Sequence, residues 1–278
     1  MSCHCLHKHP NKTHKRQTLF MKTPVKSQIN FNSAPTIKQL IPSDQQVVSS
    51  LLFSGQLECE LSFHDVDFIM STNRHAIYEF WECFIKDPYR LAETADSLHE
   101  EMSPQLVYVF QNDWPRFKDP FFRSSIFFLL NKYSVDGTIS HGNFNTNNYS
   151  PLNGRSMINF HENNDIQKLK LKYFKAEKFH ESFEDLKADQ ILFIPAGKYS
   201  PSPLANQTFA GHDKYAYNEK ALKRAVCGLN KKFILVYKYH SKLLVEYKNF
   251  KHIMVDKLGQ PTTNSVAADE LIITNLEL

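Results

Sequence analysis

The chain reads as an α/β protein with a mostly parallel sheet covered by helices on both faces. Three observations predict this. Apolar runs of strand length, such as "QILFI" (190–194) and "KKFILVYKY" (231–239), have the look of strands buried inside a sheet. They alternate with helical segments such as "YNEKALKRAVCGLN" (217–230), the order that builds parallel strands joined by helices. The 278 residues, 42% hydrophobic and 22% charged, are also enough for a large buried core.

The elements follow in order. Residues 1–30 are polar and basic without periodicity, and read as a flexible N-terminal arm. "VVSSLLFSG" (47–55) is a buried-strand candidate ending in a turn, and "ELSFHDV" (60–66) a second strand reaching Asp65 and Asp67. Ala76, Ile77, Phe80, Trp81, Phe84 and Ile85 fall on one face of a 3.6-residue period and predict a helix that Pro88 closes. Residues 103–123 are aromatic and irregular, and "SSIFFLLNKY" (124–133) is helix or strand by periodicity alone. Residues 136–165, rich in Asn, Ser and Gly, read as a long loop. Strand-like "LKYFKAEKF" (171–179) and "QILFI" follow, then the helix at 217–230 with Gly228 near its end. Strand 231–239, a helix in "SKLLVEYKNF" (241–250) and closing strand "DELIITN" (269–275) complete the chain.

Composition narrows function. Glycine is scarce, at 8 residues, which argues against a glycine-rich phosphate cradle. The net charge of +4 is compatible with an anionic partner and with ordinary surface lysines alike. No apolar stretch approaches a membrane span, and the N-terminus lacks a signal-peptide core, so a cytoplasmic location is expected. Cys3, Cys5, Cys59, Cys83 and Cys227 form no disulfide framework. Cys3, His4, Cys5, His7, His9 and His14 lack a second ligand cluster, so no metal site is expected. Lys8, Lys12, Lys15 and Arg16 make the arm a phosphate-contacting candidate.

Four segments, "HDVDFIMSTNRHAIYEFWECFIKDPYRL" (64–91), "FFLLNKYSVDG" (127–137), "YFKAEKFHESFEDL" (173–186) and "NKKFILVYKYHSKLLVEYKNF" with "ADELIITN" (230–275), come in an order that resembles the Dam-type adenine-N6 DNA methyltransferases. The resemblance spans roughly residues 30–276. It implies a Rossmann-like methyltransferase fold over 31–278, with a small target-recognition-like insert at roughly 97–165. It also implies S-adenosylmethionine as cofactor and DNA as substrate. The family's Asp-Pro-Pro-Tyr motif accepts a hydrogen bond from the adenine amino group and stacks on a flipped base. It aligns with Ile194-Pro195-Ala196-Gly197, where only the proline survives.

The cofactor loops depart as well. The family's opening lysine-tryptophan-glycine segment corresponds to "FNSAPT" (31–36). Its glycine-rich loop corresponds to "SSLLFSGQL" (49–57), which keeps only Phe53 and Gly55. A later family acid falls on Ser182, before Phe183. Asp65 stands where the resemblance puts the ribose carboxylate, and is equally a turn former. Within the insert, Arg116, Lys118, Arg123, Lys132 and Arg155 are interleaved with Trp114 and Phe117. That pattern suits phosphate contact with base stacking, or a solvated rim on an aromatic core.

The expectation is therefore a catalytically inactive methyltransferase homologue that binds no cofactor. It would be kept as a nucleic-acid-binding or assembly scaffold, with DNA, an active methyltransferase subunit or a larger complex as partner. Two alternatives stand beside it. One is a divergent active enzyme using S-adenosylmethionine, with an acceptor supplied by Tyr199, Asn206 or Asp213. The other is a structural protein of a virus or phage particle.

Overall fold

The computed structural model describes residues 21–27, 29–135, 137, 139, 144–174, 183, 186–199 and 219–277. Their organising feature is one eight-stranded sheet. Its strands are β1 (Gln46–Ser49), β2 (Phe68–Thr72), β3 (Lys170–Tyr173), β4 (Gln190–Gly197), β5 (Phe233–Lys238), β6 (Lys251–Asp256), β7 (Pro261–Thr262) and β8 (Ala268–Thr274). They lie in the order β3-β2-β1-β4-β5-β8-β6-β7. The first five pair in parallel, β8 runs antiparallel between β5 and β6, and β7 is antiparallel to β6. The strand order reverses between β1 and β4, which makes that junction the topological switch point.

The apolar runs supply both faces of this sheet. Val47, Ile191, Phe193, Ile234 and Val236 point into one core, shared with the helices of the N-terminal two-thirds. Their neighbours Val48, Leu192, Ile194, Leu235 and Tyr237 point into a second core. There they meet Leu222 and Val226 of α8 (Glu219–Cys227) and Leu243 of α9 (Ser241–Glu246). Alternation by two along each strand divides one hydrophobic run between two layers.

On the first face stand α1 (Ala34–Leu40), α2 (Gln56–Phe63), α3 (His75–Lys86), α4 (Pro88–Glu100), α5 (Pro104–Asp113), α6 (Pro120–Tyr133) and α7 (Pro151–Asn163). The predicted 76–85 helix is α3, and Phe80 is its hub. Phe80 packs against Trp81, Phe84, Phe127 and Phe128, with ring centroids 5.2–6.3 Å apart. Residues 124–133 resolve as helix, within α6.

Several expectations change. Residues 60–66 are not a strand: they belong to α2 and the turn after it, and the second strand is Phe68–Thr72. Leu57 and Leu61 are buried one helical turn apart, a spacing that a short window confuses with alternation. Pro88 opens α4 as well as following α3, because Asp87 accepts the Arg90 amide at 2.9 Å and caps the new helix. The irregular 103–123 stretch holds α5, a 3₁₀ turn (Trp114–Arg116) and the start of α6. The long 136–165 loop contains α7, whose start is secured by the Ser150 amide donating to the Asn153 side chain at 2.8 Å. Strands β6 and β7 were not anticipated.

Strand β4 does not stop at Pro195. Its pairing with β1 ends at Phe193, so the proline sits with β5 as neighbour, where a missing N–H is tolerated, and the strand runs on to Gly197 through a register shift. The last part of the supposed arm is also built in: Val25 is buried, and residues 24–27 and 29–33 lie against the body. Residues 1–20 are outside the described residues.

Phe80→Ala should cost about 3–5 kcal/mol in urea-unfolding free energy, because it empties the ring cluster joining α3 to α6.

Candidate functional site

In an open α/β sheet a ligand sits beyond the carboxyl ends of the strands, at the switch point. Here that crevice is flanked by the β1–α2 loop, the end of β2 and the end of β4, so its chemistry can be read strand by strand.

After β1 the chain turns through Leu52 and Phe53 to Gly55. Gly55 has φ +66°, and a Cβ there would meet Trp81 Cζ2 at 2.7 Å. The Trp81 indole also donates to the Phe53 carbonyl at 3.1 Å. Both residues expected as vestiges of a cofactor loop are thus engaged by an indole from α3. Glycine is required at 55 by the left-handed backbone and by the ring pressed against it. Leu52 is fully buried in the same loop.

The end of β2 carries hydroxyls rather than a carboxylate. Ser71 donates to the Ser49 carbonyl, the Leu52 amide donates to the Ser71 carbonyl at 3.2 Å, and Thr72 accepts the Arg74 amide at 3.1 Å. Asp65 lies before β2, at the opposite edge of the sheet. It is an exposed turn residue with φ +65°, ion-paired to Lys168 at 2.7 Å, and that lysine lowers its carboxyl pKa. The expectation that Asp65 ends the second strand is corrected: the residues taken for that strand are helix, which shifts the real carboxyl end to Ser71-Thr72.

At the end of β4, Ile194 is 0% exposed and belongs to the second core. Pro195 is half-buried, Ala196 is buried, and Gly197 has φ +87° with Ile29 Cδ1 2.9 Å from where its Cβ would stand. Tyr199 lies two residues past the end of β4. Its ring lies 4.9 Å from His240 and 6.5 Å from Tyr237, beside a cleft of about 510 Å³ lined by Glu219, Lys223, Cys227, Glu246 and Tyr247. Asn206, Asp213 and Ser182 lie outside the described residues, as do Cys3, Cys5 and the N-terminal histidines. Among the described residues no group of three or more metal-binding side chains occurs, and no helix is long and apolar enough to cross a membrane.

Buried and half-buried acids near this crevice were missed in the sequence. Glu58, in the first turn of α2, is 2% exposed and accepts from Ser49 Oγ at 2.9 Å. Burial pushes its carboxyl up to about 7. Glu60 is also raised to about 7, by burial and by the nearby Glu270. Glu270, on β8, is 0% exposed. It accepts the backbone amides of Asn32 and Ser33 at 2.6 and 3.1 Å, and Lys238 at 3.1 Å. The signal for Glu58 lay in "ECE" (58–60), where two acids flank a cysteine in an otherwise apolar stretch. The strand reading of 60–66 concealed it.

The five basic candidates separate into two groups. Arg123 is committed to the fold: its guanidinium holds the buried Glu79 carboxylate and the Phe117 carbonyl. Lys132 donates to the Pro24 carbonyl at 2.6 Å, lies over the Phe128 ring, and is lowered by burial to about 8. Arg116, Lys118 and Arg155 are exposed, Arg116 beside Asp113 at 2.9 Å with 82% of its side chain accessible. Trp114 is buried, whereas Phe117 is only partly so and packs on Phe110 and Phe122.

Neither the family models nor the curated proteins include a match to this chain.

Gly55→Ala should lower stability by about 2–4 kcal/mol in the ligand-free protein, from backbone strain and the Trp81 clash together, and Trp81→Leu in the same chain should recover part of the loss. The Glu58 carboxyl makes a pH prediction. Its folded pKa of about 7 lies above the ordinary 4.5, so the stability it contributes is full below pH 4.5 and is lost as pH rises through 7. The loss amounts to about 3 kcal/mol at most. Glu58→Gln should flatten that fall and exceed the wild type above pH 7, read as urea midpoints across the range.

Proposed function

We propose that this chain is a catalytically inactive relative of the Dam-type adenine-N6 DNA methyltransferases, keeping a Rossmann-like fold as a nucleic-acid-binding or assembly scaffold. The observation that carries the reading is Ile194. At the position aligned with the catalytic acid stands a hydrocarbon that is 0% exposed, and Gly197 stands where an aromatic ring would stack. A buried isoleucine neither accepts a hydrogen bond from an amino group nor reaches one.

The strand order 3-2-1-4-5, with the switch point between β1 and β4, supports the fold half of the proposal, since it is the order of Rossmann-type sheets. The described residues do not fit S-adenosylmethionine. The end of β2 offers serine and threonine where a ribose carboxylate belongs, Trp81 packs into the space over Gly55, and Ile29 packs on Gly197. The exposed Arg116, Lys118 and Arg155 support contact with a polyanion, and DNA is the candidate partner the resemblance names. An active methyltransferase subunit, which would supply the missing chemistry in trans, is the candidate protein partner.

Cofactor binding, methyl transfer and DNA binding test the proposal. Calorimetry with S-adenosylmethionine should give no binding, and methyl transfer to DNA should be absent; micromolar affinity or a methylated product would overturn the inactive reading. Binding of labelled duplex DNA should weaken steeply with salt. Arg116→Ala, Lys118→Ala and Arg155→Ala should each reduce the slope of log affinity against log salt by roughly 0.9. Arg123→Ala and Lys132→Ala should instead lower the unfolding free energy, because both side chains are spent inside the fold.

A further inference from the structure

The carboxyl edge of the sheet is not bare: residues 29–33 of the same chain lie along it, and residues 24–27 before them lie against the C-terminal end of α6. Ile29 packs on Gly197 at the end of β4. Lys238, the last residue of β5, reaches over the Phe31 ring at 5.4 Å. Glu270, at the amino end of antiparallel β8 and therefore on the same edge, accepts the Asn32 and Ser33 amides. The Asn32 carbonyl presses on Gly259, in the turn after β6. The segment thus spans the switch point, where an open sheet takes its ligand.

The way it is held is the informative part. Gln56 bonds both backbone groups of Phe31, accepting from its N–H at 3.0 Å and donating to its carbonyl at 2.8 Å. Asn131 does the same for Lys26, at 2.7 and 3.1 Å. Lys132 takes the Pro24 carbonyl and Glu270 takes two successive N–H groups. These side chains read main chain, which any peptide offers, while Val25 and Phe31 are buried as apolar anchors six positions apart. Main-chain bonds for affinity with pockets for spaced side chains is the logic of peptide recognition.

We infer that the crevice over the carboxyl ends of β1, β4 and β5, together with the C-terminal end of α6, is a peptide-binding groove, occupied in cis by the chain's own residues 24–27 and 29–33, which act as a built-in plug. The recognised chemistry is a peptide with two apolar anchors six residues apart, its main chain held by side-chain amides, a lysine and a carboxylate. This does not rest on descent from a methyltransferase: S-adenosylmethionine binding decides that question, and peptide exchange decides this one.

The test loosens the plug and leaves the groove intact. In the full chain carrying Phe31→Ala, hydrogen exchange of the amides of residues 25–27 and 29–33 should rise roughly tenfold while the amides of β4 and β5 keep wild-type protection. A fluorescent peptide of the wild-type sequence 21–33 should then bind the variant roughly tenfold more tightly than it binds the wild type, whose own segment competes at high effective concentration. The same peptide with both anchors changed to aspartate should not bind. Phe31→Leu, a milder change, is run alongside. If in both variants the β4 and β5 amides lose protection together with the segment, it is an integral part of the core and the inference falls. Opening of the segment without peptide binding overturns it equally.

Discussion

Strand β4 has no side that faces water: Ile191, Leu192, Phe193 and Ile194 are all at 0% exposure, alternating between two cores. The rest of the molecule depends on that constraint. Both faces must be covered, so α1–α7 close one side and α8 and α9 the other. Both edges must be paired, so β1 and β5 flank β4 in parallel. Burying the four side chains contributes on the order of 6–12 kcal/mol by the usual value per apolar residue, an upper bound because the unfolded chain hides some of them. The same demand fills position 194 with hydrocarbon, and a polar atom there would have to find a partner inside the second core.

What a ligand site would do with the crevice is done here by the protein itself. Gly55 receives an indole, Gly197 receives Ile29, and the hydroxyls of Ser49 and Ser71 bond to Glu58 and to backbone. Gln56 and Glu270, polar and buried, are satisfied by the main chain of residues 31–33. Without those partners each would carry a desolvation cost of about 1–3 kcal/mol or more, so the covering segment and the floor beneath it stabilise one another. Glu58 keeps the one raised carboxyl that the fold shields most fully, and it is held by a neighbouring serine inside the protein rather than presented to a substrate.

Part of this was legible beforehand because it depends on local pattern. The runs at 190–194, 231–239 and 269–275 form strands, since three to five consecutive apolar residues between polar ones suit a sheet buried on both faces. The aromatic stripe from Ala76 to Ile85 is a helix because its period is unambiguous over three turns. The failures also have physical causes. In 57–63 the apolar positions satisfy two periods at once, and a tertiary contact, Leu57 and Leu61 against the first core, chose the helix. Helix α7 is polar enough to pass for loop, and Gly154 is placed for packing, with Ala92 of α4 3.2 Å from where its Cβ would stand.

The sequence by itself determined the layered α/β architecture and the absence of an acid or a ring at 194–197, because hydrophobic period and residue identity are local properties. Only the tertiary structure decided which residues meet. It moved Asp65 to the far edge of the sheet, withdrew Arg123 and Lys132 into the interior, and brought Glu60 near Glu270 from a distant part of the chain. It also laid residues 29–33 across the switch point. Those outcomes depend on strand order and helix packing, which join residues up to 238 positions apart and which no window along the chain contains.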